Sequence, residues 1–320
     1  MSYKNIYVQN IQPANRIEET FLVTEKNLVL SQKGSLYLSL RLRDKTGEVE
    51  GRVWERAAEI SRTFQKGDVV LVRGRAVRYR DAIQLSIADM EKPDQADLDM
   101  TDYVSASRWN VDDMFKSLVE IAATVEDPFL KQLLDGILAD DEIAGLLKKA
   151  PAAKGMHHFY LGGLLEHTLS MTRILNHLSE HYDGVNRDLL ITGGILHDIG
   201  KIYELSSEGM IEYTDEGRLI GHIVLGLELV NRKMSLIPGF PDHLAMELRH
   251  ILISHHGAVE YGSPKRPKTL EALMVYFADD LDAKVNAFQE SISGAGEDES
   301  SWTPYHRLFD RYIYKGPKPK

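Results

Sequence analysis

At 320 residues, with 43% hydrophobic and 27% charged side chains, the chain has the composition of a soluble globular protein too long for one ordinary domain, so two are expected. No apolar run approaches the roughly 20 residues of a membrane span, and the start, MSYKNIYVQN, lacks the apolar stretch of a secretory signal. Cysteine is absent, which excludes disulfides and thiolate metal sites and fits a reducing cytoplasm; any metal must be held by imidazole and carboxylate.

The net charge of -10 is unevenly spread. Residues 1–95 hold 16 basic and 13 acidic side chains, and the remainder holds 22 and 35. A mildly basic front half therefore joins an acidic back half, and acidic surface is what a cation-binding domain tolerates.

The front half reads as strands. Residues 35–44, SLYLSLRLRD, alternate Leu36, Leu38, Leu40 and Leu42 against Tyr37, Ser39, Arg41 and Arg43, a period of two. Lys45-Thr46-Gly47 is a turn, and Glu48 to Trp54 restarts the alternation. A short helical stretch is expected around Ala57 to Phe64, a turn at Lys66-Gly67-Asp68, and then two more strands, VVLVRGRAVRYR and AIQLSIADME. Five short strands with one helix between them over residues 1–95 suit a small closed barrel of the OB type. Residues 96–110 are polar without sustained period and read as a linker. From Val111 to residue 312 the pattern is helical, and 313–320 reads as a disordered basic tail. The fold class expected is thus multidomain, an all-β barrel followed by an all-α domain.

In the helical half, Leu164, Thr168, Met171, Leu175 and Leu178 mark one face of a long helix. Pro241-Asp242 opens another, with Gly257 placed to end it, and Thr269 is positioned to cap a last helix carrying Leu270, Leu273, Met274, Phe277, Leu281 and Val285.

None of the twelve histidines falls in the barrel segment; all lie between His157 and His306. His197-Asp198 is embedded in an apolar run, LLITGGIL before and Ile-Gly after, and such a pair is costly to bury unless a cation compensates it. Lys201 follows at +4 and +3, on the same side if the helix continues, where it can meet a phosphate. His167 lies at the edge of its helix's apolar stripe. His255-His256 stand at a helix C-terminus, where the dipole favours a cation, and His222 stands at a helix start. Asp279, Asp280 and Asp282 lie on the last helix. Blander readings exist for each: a hydrogen-bonded helix-end pair, surface histidines, a solvated lysine. The Gly162-Gly163 and Gly193-Gly194 pairs read as close helix packing, since neither follows a strand as a phosphate loop would.

The pattern His167, His197-Asp198 and a late aspartate resembles the HD superfamily of metal-dependent phosphohydrolases. The ordered set HHFYLGGLLEHT, HDIGK, GHI, SHHG, SPKRPKTLEA and ADDLDAK resembles one branch of it over nearly the whole chain, the YhaM-type 3′-to-5′ exoribonucleases, which join an OB-type barrel to an HD domain. The resemblance implies His167, His197 and Asp198 as metal ligands and a final aspartate within Ala278-Asp279-Asp280-Leu281-Asp282, with Asp279 favoured by the pattern and Asp280 its rival. Helical periodicity does not settle that choice. The resemblance further implies His222, His255 and His256 for a second ion with Asp198 bridging, so one or two divalent ions, Mn²⁺ foremost with Fe, Co²⁺ and Mg²⁺ conceivable. Asp198 and Lys201 are then the catalytic candidates, the metals acidifying the attacking water and Lys201 neutralising phosphate. His157 and His158, next to the GGLLEHT segment, are candidates for substrate contact or for structural roles.

Single-stranded nucleic acid is held by basic grooves with aromatic platforms. Tyr37, Arg41 and Arg43 share one strand face, and Trp54, Arg73, Arg75, Arg78, Tyr79 and Arg80 lie on later strands; a solvated barrel face carries the same residue types. The activity expected is 3′-to-5′ hydrolysis of single-stranded RNA, with DNA, and assembly of copies, left open. The rival readings are a phosphohydrolase of nucleotides or cyclic dinucleotides, and a nucleic-acid-binding factor with a structural HD domain.

Overall fold

The computed structural model describes residues 4–31, 34–80, 82–94, 98–153, 160–206, 211–295 and 300–317. His157 and His158 lie outside them. The chain divides into two compact units, with the main boundary between Ala106 and Ser107.

The first unit is a closed barrel of β1 (Arg16–Leu30), β2 (Leu36–Asp44), β3 (Gly47–Val53), β4 (Val69–Tyr79) and β5 (Ala82–Glu91), in the order β1-β2-β3-β5-β4. Neighbours are antiparallel except β3 and β5, which run parallel with Gly51 opposite Leu85. The alternation predicted for β2 is realised: Leu38, Leu40 and Leu42 face the core, while Leu36 at the strand's start is exposed. α1 is shorter than the sequence suggests (Ala57–Ile60), and it places Ala57 and Ile60 in the barrel core with the following Phe64. Phe21 is fully buried in the same core. Before β1, the backbone N–H groups of Asn5 and Ile6 donate to the Glu19 carboxylate, and the buried Lys4 ammonium lies 3.5 Å from Asp44.

The polar stretch 96–110 is not a free linker along its length. Met100–Asp102 forms a 3-10 turn, Tyr103 is buried against Leu22 and Val69, and Asp102 accepts from Tyr7 Oη and Lys45 Nζ. Its lack of periodicity misled because these contacts come from residues distant in sequence.

Among its described residues the second unit is helical apart from a two-stranded ribbon, β6 (Leu205–Ser206) and β7 (Glu212–Tyr213), the isolated bridges of residues 300–317, and the connecting turns. It comprises α2 (Val111–Ala122), α3 (Pro128–Leu138), α4 (Asp141–Lys149), α5 (Gly163–His181), α6 (Arg187–Leu196), α7 (Lys201–Glu204), α8 (Asp215–Leu219), α9 (His222–Met234), α10 (Asp242–Ser254) and α11 (Leu270–Gly294). Asn110, Asp127, Asp140, Asn186, Thr214 and Thr269 each accept a backbone N–H in the following first turn, which fixes where six of these helices begin. α6 is buried on every side from Leu189 to Leu196 and packs against α5, α10 and α11. The Gly193-Gly194 pair serves this packing: a Cβ would fall 2.9 Å from Ile251 at the first and 2.5 Å from Leu175 at the second.

On α11, Leu270, Leu273, Phe277, Leu281 and Val285 are exposed, while Met274, Val275 and Ala278 form the buried face. One expectation is corrected. The tail does not begin at residue 313. Ile313 is buried, its carbonyl accepts the Thr303 N–H at 2.8 Å, and Trp302 bridges Tyr314. The basic residues that suggested disorder mostly follow this apolar pair.

Phe21→Ala is expected to destabilise the barrel by about 3–5 kcal/mol, read by urea denaturation; a loss under about 1 kcal/mol would show that the barrel core can collapse around the site.

Candidate metal centre

α5, α6, α9, α10 and α11 each bring a ligand-type side chain to one buried spot. His167 projects from the second turn of α5, which buries that face, and is 1% exposed. α6 stops at Leu196, so His197 and Asp198 stand at its end, 1% and 2% exposed. The helix does not run on as expected: residues 197–200 turn, and α7 restarts at Lys201. The turn still brings Lys201 Nζ to 2.6 Å from Asp198 Oδ2. His222 is the first residue of α9, His255 caps the C-terminus of α10 with His256 following, and Asp279 lies on the inward face of α11.

Two groups of potential ligand atoms form, each within 4.8 Å: His167, His197, Asp198 and Asp279, and Asp198, His222, His255 and His256. Asp198 belongs to both. Its Oδ2 lies 3.3 Å from His197 Nε2 and 3.9 Å from His167 Nε2. Its Oδ1 lies 3.5 Å from His222 Nε2 and 3.4 Å from His255 Nε2. Asp279 Oδ1 approaches His167 Nε2 at 3.2 Å, whereas Asp280 pairs with Lys284 at 2.7 Å on the helix exterior.

The Nδ1 partners orient the rings. His197 Nδ1 donates to the Gly194 carbonyl at 2.9 Å, His255 Nδ1 to the Leu252 carbonyl at 2.8 Å, and His256 Nδ1 to the Tyr261 carbonyl at 2.8 Å. A carbonyl only accepts, so these Nδ1 atoms carry the protons and Nε2 is left as the lone-pair atom of the neutral ring. His167 Nδ1 lies 2.7 Å from Asp282 Oδ2, and His222 Nδ1 lies 3.0 Å from Glu204 Oε1.

Burial disfavours charge on Asp198, but Lys201 and His197 outweigh it and hold the carboxyl well below its usual range. Burial likewise opposes ionisation of Asp279, and the His167 contact overcomes it. On His167 burial works against the imidazolium, yet Asp279 and Asp282 raise its pKa to about 10. Burial pushes His255 and His256 down, toward the neutral ligand form. Asp198 Oδ1, His222 Nε2 and His255 Nε2 are buried without hydrogen-bond partners. Such atoms are costly unless something coordinates them, and imidazole nitrogen with carboxylate oxygen is a donor set that fits a divalent cation.

On the barrel, the predicted nucleic-acid residues divide. Tyr37 stacks on Trp54 with ring centres 4.7 Å apart, and the Arg52 guanidinium lies 5.3 Å from the Tyr37 ring and 5.7 Å from Tyr79. These sit on β2, on β3 and the residue that follows it, and on β4, and make an aromatic and cationic face. Arg41 and Arg43 both pair with Glu48, and Arg73 meets Glu18, Asp89 and Glu91 at 3.1, 3.6 and 2.6 Å, so these three are neutralised locally. Arg75 is exposed on β4, as are Arg78 and Arg80 at its end.

Residues 164–284 match the HD domain family, and residues 22–93 match the OB-fold nucleic acid binding domain. Over 309 residues the chain is 29% identical to the 3'-5' exoribonuclease YhaM of Geobacillus sp. (strain WCH70), covering 96% of this chain and 94% of the relative. The proteins of the same name from Halalkalibacterium halodurans and Shouchella clausii are 30% identical over 88% of this chain and 87% of theirs, and 32% identical over 86% of each. The chain belongs to the YhaM exoribonuclease family. Both ligand groups fall inside the HD match, and the Tyr37–Trp54 stack falls inside the OB match. Among the described residues, no helix is long and apolar enough to cross a membrane.

Sequence reading missed Arg52, Ser170 and Glu204, and named Asp282 without giving it a role. Asp282 was visible in ADDLDAK, but nothing local says that it turns toward α5. Gly200, within the HDIGK motif of this family, has a steric role: a Cβ there would fall 2.0 Å from the His222 carbonyl oxygen and 2.5 Å from the Gly226 N. Gly200→Ala must part α7 from α9. It is expected to cost about 1–3 kcal/mol or more by thermal unfolding and to weaken Mn²⁺ binding through His222; an unchanged melting temperature and unchanged affinity would refute the steric reading.

Proposed function

We propose that the protein is a metal-dependent 3′-to-5′ exoribonuclease in which the barrel holds single-stranded RNA and the HD unit hydrolyses it. The observation that carries this reading is Asp198, a buried carboxylate shared by two convergent ligand groups in a chain of the YhaM family. We assign His167, His197, Asp198 and Asp279 to one cation and Asp198, His222, His255 and His256 to a second, with Mn²⁺ as the native metal. A divalent cation so held supplies Lewis acidity to the phosphodiester and makes a hydroxide nucleophile available near neutral pH.

The chain's own residues do the rest. The imidazoles present Nε2 inward because their Nδ1 atoms are engaged. Lys201, on Asp198 at 2.6 Å, carries the positive charge that faces an incoming phosphate. The Tyr37–Trp54 stack offers a platform for bases, and Arg52 beside it supports backbone binding. RNA preference over DNA follows the family relatives, and a cytoplasmic setting suits a cysteine-free enzyme of this class.

The test is incubation with end-labelled single-stranded RNA and Mn²⁺. A ladder shortened from the 3′ end supports the proposal. Turnover confined to mononucleotides or cyclic dinucleotides, or binding without turnover, overturns it. Asp198→Ala is expected to abolish turnover while leaving RNA binding by the barrel intact; undiminished activity would remove the metal-site assignment. Trp54→Ala should weaken single-strand binding by about 1–3 kcal/mol, roughly 5–150-fold, in a filter-binding titration, with hydrolysis of a short phosphodiester such as bis(p-nitrophenyl) phosphate unchanged. Loss of both together would mean that Trp54 supports the fold rather than the strand.

A further inference from the structure

The five imidazoles of the centre are braced in two different ways. His197, His255 and His256 are fixed by backbone carbonyls, those of Gly194, Leu252 and Tyr261. His167 and His222 are fixed by carboxylates, Asp282 at 2.7 Å and Glu204 at 3.0 Å. The carboxylate-braced histidines are distributed one to each ligand group. A carbonyl orients a ring, whereas a carboxylate both orients it and raises the basicity of the opposite nitrogen.

Both carboxylates are themselves held. Asp282 is 8% exposed; Oδ2 faces His167 and Oδ1 accepts the Ser170 hydroxyl. Ser170 stands one turn beyond His167 on α5, and Asp282 one turn beyond Asp279 on α11. One turn of α11 thus carries a ligand and the brace of another ligand. Glu204, at the end of α7, uses Oε1 to accept both the backbone N–H and the Nδ1–H of His222, each at 3.0 Å. The Thr214 hydroxyl donates to the carbonyls of Tyr203 and Glu204, tying that segment to the start of α8.

We infer that Asp282 and Glu204 are positioning residues that set the affinities of the two cation positions separately, Asp282 with Ser170 acting through His167 and Glu204 acting through His222. The inference rests on the two-cation reading above. Neither residue belongs to either ligand group, so each acts through the imidazole it holds.

The test is calorimetric titration of the metal-free protein with Mn²⁺, with low-temperature electron paramagnetic resonance as a second readout. Wild type should take two ions in resolvable steps and give the spectrum of an exchange-coupled pair. Glu204→Ala is expected to weaken one step by about 10–100-fold and leave the other within about threefold, so that at intermediate Mn²⁺ the spectrum becomes that of an isolated ion. Asp282→Ala should weaken the other step by a similar factor. Glu204→Gln and Asp282→Asn keep an acceptor oxygen and should recover most of the loss, which separates ring positioning from general damage to the fold. If Asp282→Ala does not fold, Ser170→Ala, which removes only the hydroxyl on Asp282 Oδ1, should give a smaller loss in the same step. Both alanine variants weakening the same step, or neither moving any step, would overturn the inference. Wild type binding no Mn²⁺, or one ion only, would instead overturn the two-cation reading beneath it.

Discussion

Five helices of the helical unit converge on a single difficult group, the carboxylate of Asp198, 2% exposed. A buried carboxylate loses several kcal/mol of hydration, and neutralising it by protonation would remove the group as a ligand. The surroundings favour the charged form: Lys201 lies on one oxygen, and imidazoles approach both. That requirement sets the positions of α5, α6, α9 and α10, since each must end or pass where its histidine can face this group. It also explains why α6, the helix that delivers Asp198, is buried from Leu189 to Leu196 and central. A helix packed on all sides holds its terminal turn in a fixed place, so Asp198 can be presented to both ligand groups at once.

The site was more legible than the helix that completes it. His197-Asp198 stood out because a His-Asp pair within an apolar run has few inexpensive explanations. On α11 the strongest apolar stripe is the exposed one. The inward face instead carries Ala272, Met274, Val275, Ala278, Asp279 and Asp282. Small side chains let the helix approach α5 and α6, and the two aspartates take up the space that large apolar groups would fill. A periodicity argument weighs hydrophobicity alone and so undervalues a face selected for closeness and charge. The side of α11 opposite the apolar stripe carries Asp279 to within 3.2 Å of His167, while Asp280 pairs with Lys284, which supports the proposal of Asp279 as the ligand.

On the barrel the limits were of another kind. Alternation in β2 was plain because one face is buried, and period two is a direct consequence. Which outward arginine is available for a ligand was not, because availability depends on the neighbouring strands. Arg73 shares its face with Glu18 of β1 and with Asp89 and Glu91 of β5, partners fixed by register. Arg52, which carries no local signal, lies between Tyr37 and Tyr79 once β2, β3 and β4 curve together. Charge along a strand can be counted from sequence, but its neutralisation across strands cannot.

The charge balance of the centre bears on how it fills. Four carboxyl groups, Asp198, Asp279, Asp282 and Glu204, surround the centre against Lys201 and a His167 whose pKa is raised to about 10, so acidic side chains outnumber cationic ones there. His167 can serve as a ligand only by giving up the proton on Nε2, and the cost of that step belongs to cation binding. Asp282 enters this balance twice, because it stabilises the protonated ring and, once the proton has left, makes the same ring a better donor. His255 and His256, already held toward neutrality by burial, ask for no such exchange. His167 and the pair His255 and His256 thus offer a cation different surroundings, one set by carboxylates and the other by burial.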